Sequence, residues 1–303
     1  MSQRTGLLLA AITTASLARA QTSFPEVEPN ETKATATPVA CLVAGDSITG
    51  TTTGALTTAG AGSGDTFDVQ TCALTPGIYF HRLTLTTSGT EGHIGAIRGI
   101  SQTTGVPNTT TDTQYQIATV TTTPPRSNAW YGFGASEHVY YRVTGTASTT
   151  AAYAATLSTT PVAATPIPGA TFAAGSTITI STLGQTTVDT ELYVYDSNFQ
   201  PVPTAHSDDT TNTQSNLVRT YAPGTYYLVV ADFNIANNVS DANVGEGAIN
   251  QQLIDFPNAL CVRDSDSGLD LDFTISDGTT TLPVSATMAA RKLSTTSSPS
   301  VSA

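Results

Sequence analysis

Positive charge is what this 303-residue chain has least of: 11 Lys and Arg stand against 23 Asp and Glu, for a net charge of −12. A surface of that sign repels phosphate backbones, which argues against nucleic acid as a partner. Cysteine is scarce too, limited to Cys41, Cys72 and Cys261. No C-x-x-C pair occurs and no histidine sits at ligand spacing from them, so the sequence spells neither a thiolate metal site nor a redox motif. The four histidines, His81, His93, His138 and His206, form no H-E-x-x-H or paired-His spacing, and there is no G-x-S-x-G elbow. Paired carboxylates have no local signature, and they alone leave a divergent secreted hydrolase open. Long apolar runs are confined to the first 17 residues, and after the first 20 no window sustains a 3.6-residue apolar period. A membrane-spanning helix needs roughly 20 apolar residues, so no transmembrane segment is expected.

What is present begins with an address. Arg4 provides a positive start, residues 6–17 an apolar run, and Ala18-Arg19-Ala20 a small-x-small cleavage site. Residues 1–20 therefore read as a signal peptide, with the mature chain beginning near Gln21 and destined for secretion or the cell surface. Export permits disulfides, and Cys41 with Cys72 is the natural pair, tying two early strands and leaving Cys261 spare. The rest of the chain is dominated by Thr, Ser, Gly and Ala. Threonine is β-branched, poor in helices and at ease on a half-exposed strand face, so the expected class is all-β.

Strands are expected at 46–51, 66–71, 78–86, 93–100, 115–121, 138–144 and 151–158. A second set is expected at 177–182, 191–196, 216–221, 225–232, 270–276 and 282–287. Such short, turn-bounded strands predict antiparallel sandwiches, and the length suits two tandem domains, at 21–160 and 169–288. Between them, residues 161–168 hold Pro161, Pro166 and Pro168 and read as a linker. The Ser- and Thr-rich stretch 289–303 is expected to be disordered. The halves echo each other, since Thr75-Pro-Gly-Ile-Tyr-Phe80 parallels Ala222-Pro-Gly-Thr-Tyr-Tyr227. That shared turn suggests two copies of one module. Trp130, in an aromatic cluster at 128–133, reads as core, and His81 and His138 read as structural groups on strands.

A family resemblance rests on particular residues. Glu28-Pro29-Asn30-Glu31-Thr32, followed by Ala34 and Ala36, resembles the E-P-N-[DE]-T opening of bacterial pre-peptidase C-terminal domains. Gly64-Asp65-Thr66-Phe67 is similar to that family's D-x-F strand. Residues 189–195, Ser207-Asp208-Asp209 and 222–230 look like its later strands and acidic loop. The likeness is good over 189–233, fair over 26–67 and poor over 89–137 and 235–268. Opening and later strands lie on different halves, so two diverged modules, the preferred arrangement, or one module with a large insertion both fit. The resemblance implies jelly-roll-like β-sandwiches, which accompany secreted proteases or repeat in surface proteins.

It also implies a cation. Related collagen-binding modules of clostridial collagenases hold Ca²⁺ with the acidic lead-in. By position that implies Glu26, Glu28, Asn30 and Glu31, joined by Asp65, as ligands of Ca²⁺. The chain departs from the pattern where Glu31 replaces Asp and Gly62 stands where a second Asp would precede Asp65. Two other acidic stretches read differently. The run 264–272 alternates Asp with Leu269, Leu271 and Phe273 and fits a strand, and Asp208-Asp209 fits a polar loop. Asn30, Asn108 and Asn238 begin N-x-[ST] triplets.

The expected function is that of a non-catalytic secreted or cell-surface accessory protein. It would bind extracellular matrix, polysaccharide or a protein partner. A structural subunit of a fibre or surface layer, self-associating through strand edges, is the alternative.

Overall fold

The computed structural model describes residues 19–52, 64–87, 93–98, 114–118, 126–145, 152–207, 210–232, 235–236, 259–262, 271–285 and 294–297. Within them the chain is nearly all strand, with one 3₁₀ turn at Lys33–Thr35 and no α-helix. The first half supplies β1 (Ser23–Pro25), β2 (Thr37–Leu42), β3 (Ser47–Thr51), β4 (Gly64–Thr71), β5 (Ile78–Thr87), β6 (Ile94–Arg98), β7 (Gln114–Ala118), β8 (Arg126–Gly132), β9 (His138–Thr144) and β10 (Ala152–Val162). They make two sheets, ordered β1-β3-β10-β5-β8 and β2-β4-β9-β6-β7.

The second half supplies β11 (Thr165–Pro166), β12 (Thr177–Ser181), β13 (Thr190–Tyr195), β14 (Pro201–Ser207), β15 (Asn216–Thr220), β16 (Tyr227–Asp232), β17 (Ile235–Ala236), β18 (Ala259–Val262), β19 (Phe273–Ser276), β20 (Thr281–Val284) and β21 (Ser294–Ser297). Its two sheets run β11-β21-β16-β13-β14 and β15-β12-β19-β20. Pairing is antiparallel apart from β1 on β3, β2 on β4 and β11 on β21, which are parallel.

Strand alternation decides what each face meets. Phe67, Val69, Val139, Tyr141 and Val143 of one sheet bury against Ile48, Leu83, Leu85, Trp130, Tyr153 and Leu157 of the other. In the second sandwich, Leu192, Val194, Leu228 and Val230 meet Ile178, Ile180, Leu217, Phe273 and Ile275. The residues between these positions point the opposite way, and several are aromatic. Ile78, Tyr131 and Phe133 on the first sandwich pack against Tyr193, Tyr195 and Val229 on the second. Phe199 stacks on Phe133 at 5.4 Å and on Tyr227 at 4.4 Å. The sandwiches thus share a third, aromatic core. Each fully buried ring among them, Tyr131, Tyr193 and Tyr195, contributes about 1.5–3 kcal/mol.

Three expectations of organisation are corrected here. Residues 161–168 are not a free spacer: β10 runs on to Val162, and Val162 and Ala164 pack against the aromatic core. Part of the stretch expected to be disordered forms β21, which pairs with β11 and β16. Strand β18 pairs with β8, and β17 with β18, so the second half completes a sheet of the first.

Two other expectations meet their structure directly. Cys41 and Cys72 are disulfide-bonded. The paired Pro-Gly turns are closed alike, with the Tyr79 hydroxyl donating to the Thr75 carbonyl at 2.7 Å and Tyr226 to Ala222 at 2.8 Å. Each tyrosine ties its strand back to the residue four positions upstream, in the manner of a tyrosine corner.

Candidate metal centre

The lead-in reaches its place by switching sheets. β1 lies parallel to β3, and the Glu26 amide continues that pairing by donating to the Thr49 carbonyl at 2.8 Å. The chain then leaves for β2 in the opposite sheet, passing the start of β4, where the Thr66 amide donates to the Asn30 carbonyl at 2.8 Å. Thr32 caps the turn at Lys33–Thr35, exchanging hydrogen bonds with Thr35 at 3.2 Å in each direction. The lead-in thus links one edge strand of each sheet, and Asp65 stands next to Thr66, whose amide the lead-in engages.

The crossing brings three carboxylates together. One oxygen each from Glu26, Glu28 and Asp65 lies within 4.8 Å of the other two, with Asp65 buried, Glu26 half-buried and Glu28 exposed. Glu26 is held through Oε1 by the Thr51 amide at 2.9 Å and the Thr51 hydroxyl at 3.2 Å. Glu28 accepts the Asn30 amide at 3.1 Å. The Tyr153 hydroxyl donates to Asp65 at 2.5 Å and approaches Glu26 at 3.4 Å.

Like charges at this spacing are costly without a counter-charge. Burial, then the neighbouring Glu26 and Glu28, push the Asp65 carboxyl up to about 8, against the pull of Tyr153. Glu28 is raised as well, by burial first and then by Glu31 and Glu26, although the Asn30 amide opposes this. The Tyr153 hydroxyl is raised by burial and by Asp65, which keeps it a donor.

Of the five expected ligands, Glu26, Glu28 and Asp65 converge. Glu31 is exposed and outside the group. Asn30 is fully buried, and neither polar atom of its side chain has a hydrogen-bond partner. That burial also takes Asn30 out of reach as a glycosylation acceptor in the folded protein. Residues 208–209 and 264–270 lie outside the described residues, as do Asn108 and Asn238.

Sequence reasoning missed Tyr153, Thr51 and Gly50. Tyr153 has no local signal, being one aromatic on a strand 88 residues from Asp65. Gly50 had one: a glycine inside a strand marks close approach. A methyl group there would overlap the Glu26 carboxylate and the Tyr153 hydroxyl. Beside this group opens a cleft of about 720 Å³, lined by Glu26, Gly50, Thr51, Thr86, Tyr153 and Ala154 among others.

Each histidine has a packing or polar partner, His206 being stacked on Tyr193 at 6.0 Å. His81 is buried, stacked on the fully buried Trp130 at 5.3 Å and bonded to Thr159 at 3.0 Å. His93 is buried against Thr52 at 3.1 Å, and His138 pairs with Asp68. Among the described residues no helix is long and apolar enough to cross a membrane. Compared with protein-family models and with curated proteins, the chain finds no match.

Proposed function

We propose that this is an exported, non-catalytic binding protein of two related jelly-roll-like modules, the first of which holds a divalent cation, Ca²⁺, at Glu26, Glu28 and Asp65. The observation that carries this reading is the convergence of three carboxylates within 4.8 Å on a buried Asp65. The donor set is all oxygen, which suits a hard cation such as Ca²⁺ and not zinc. Asn30, buried with its amide oxygen unpartnered, is a further oxygen donor on the same lead-in. A bound cation would neutralise the mutual repulsion and fasten the crossing between the two sheets. The cleft beside it then offers a surface for an extracellular matrix, polysaccharide or protein partner.

Thermal melting in chelator and in millimolar Ca²⁺ tests the cation. A bound ion raises the melting temperature with concentration, and identical curves would overturn the assignment. A glycan and collagen array probed with and without Ca²⁺ tests the binding role. Turnover in a hydrolase screen, or filaments by electron microscopy, would instead favour an enzyme or a fibre subunit.

A further inference from the structure

Asp46 is a buried carboxylate whose cation belongs to the part of the chain that export removes. Its side chain is 1% exposed. One oxygen accepts the Thr22 amide at 2.9 Å, and the other takes the Val43 amide at 3.2 Å and the Arg19 guanidinium at 3.1 Å. Its main chain is equally engaged, with the Leu157 amide donating to its carbonyl at 2.9 Å. Burial alone would raise this carboxyl, but the Thr22 and Val43 amides and Arg19 outweigh it and hold it below the ordinary value. Arg19, 55% exposed, is the middle residue of the Ala18-Arg19-Ala20 cleavage site. Cleavage after Ala20 deletes that guanidinium and leaves the anion with the Thr22 and Val43 amides, and a carboxylate drawn into the protein without a cation is costly.

The same cleavage creates a replacement. The new α-ammonium sits on Gln21, one residue and about 3.8 Å of chain before Thr22, whose amide already bonds Asp46. The Ser47 amide, donating to the Thr22 carbonyl at 3.0 Å, pins this start of β1 beside β3. We infer that Asp46 is the receptor for the mature N-terminus: signal-peptide removal exchanges the Arg19 guanidinium for the Gln21 α-ammonium, which then locks β1 onto the β2–β3 turn. The inference rests on the export reading. It concerns the opposite end of β1 from the carboxylate group and requires no cation there.

The test starts with mass spectrometry of the protein secreted by its native signal. That chain is then compared with a version carrying a Gly-Ser extension ahead of Gln21, and with a version acetylated on the α-amino group. Each is made with Asp46 and with Asp46→Asn. A chain beginning at Gln21 should melt roughly 3 °C above the extended and acetylated forms, and Asp46→Asn should erase the difference. Cyclisation of the N-terminal glutamine gives a readout that a merely structural Asp46 would not move. In that reaction the α-amino nitrogen attacks the side-chain amide carbon and ammonia leaves. It should be several-fold faster in Asp46→Asn, where the amine is free. A chain beginning at Gln21 that melts identically with a free or acetylated amine overturns the inference and leaves export standing. A secreted chain beginning elsewhere overturns the inference and leaves export standing, and no secreted chain overturns both. Should Asp46→Asn fail to fold, the free-against-acetylated comparison still decides.

Discussion

The two sandwiches carry the same tyrosine-closed Pro-Gly turn, yet they bury different chemistry. In the second, the buried polar groups are mostly hydroxyls satisfied at short range. Thr182 and Thr190 bond each other at 2.7 Å, and the Ser215 amide donates to Thr182 at 2.8 Å. In the first, ionisable and amide groups go inside: Asp65, Glu137, His81, Arg126, Asn128 and Asn30. A paired hydroxyl costs little to bury, whereas a carboxylate is costly unless something compensates it. Glu137 shows full compensation, accepting the Gly134 amide at 2.8 Å, the Ala135 amide at 3.2 Å and the Thr71 hydroxyl, with His81 at 3.5 Å. Asp65 shows the opposite, facing two further carboxylates with one hydroxyl for support. The second unit buries one carboxylate as well, Glu191, so what separates the two is the group of three around Asp65, which has no counterpart among the described residues of the second.

The largest test asks whether the two units stand or fall together. Phe67→Ala and Phe273→Ala each empty the centre of one core and should cost about 3–5 kcal/mol. Because the aromatic core joins the sandwiches, calorimetry should show a single transition that moves down in both variants. Two separated transitions would mean that the shared rings do not couple them.

A pair of glycines sharpens the contrast. Gly50→Ala drives a methyl into Glu26 and Tyr153 and should cost about 1–3 kcal/mol, with loss of any response to Ca²⁺. In the second unit, Gly224→Ala meets only the Tyr226 ring at 3.7 Å, an ordinary contact. It should change stability by no more than about 0.5 kcal/mol. Denaturant melts of the two variants decide.

Acidity separates the copies next. An Asp65 carboxyl held at about 8, against an ordinary 3.8, makes the folded state prefer the protonated acid. That contribution is fully present below the ordinary value and is lost as pH rises toward the folded one. In chelator, the melting temperature should therefore fall by a few degrees more between pH 5 and pH 8 in wild type than in Asp65→Asn. Ca²⁺ should flatten the wild-type curve. Parallel curves for the two proteins would show that the carboxylates do not repel as their spacing demands.

Interior strands were legible because alternation survives where one face is buried. The expected 138–144 is β9, and 78–86 falls short of β5 by one residue. Four of the eight strands that escaped, β1, β2, β11 and β14, are edges bearing proline. β1 ends at Pro25, β2 contains Pro38, and β14 contains Pro201 and Pro203. An edge strand has one side with no ladder to donate to, so proline is tolerated there and hides the pattern. β8 escaped for another reason. Its inner face carries Arg126 and Asn128, which donate across the sandwich to the carbonyls of His93 at 2.7 Å and Gly95 at 3.4 Å. Buried polar residues with specific partners look like loop residues until the partners are known. At the candidate site, Glu26, Glu28 and Asp65 were legible through the family resemblance, which also pointed to Glu31, outside the group. Tyr153 was not, because its role depends on a register set by β3 and β5, far from it in sequence.

The smallest effect tests whether the copies are copies at all. Tyr79→Phe and Tyr226→Phe each delete one hydroxyl-to-carbonyl hydrogen bond of nearly equal length, 2.7 and 2.8 Å, at corresponding turns. Each should cost about 1 kcal/mol, and the two losses should match within the error of a denaturant melt. Both tyrosine rings lie beside their turn glycine, where a methyl group would meet them at 3.4 Å on Gly77 and 3.7 Å on Gly224, so the phenylalanine ring keeps the same seat and only the bond is lost. Neither turn touches the carboxylate group, so Ca²⁺ should leave both values unchanged. A full loss in one variant and none in the other would mean that the turns share spelling without sharing a role. The difference in buried charge would then separate two unrelated sandwiches instead of two fates of one module.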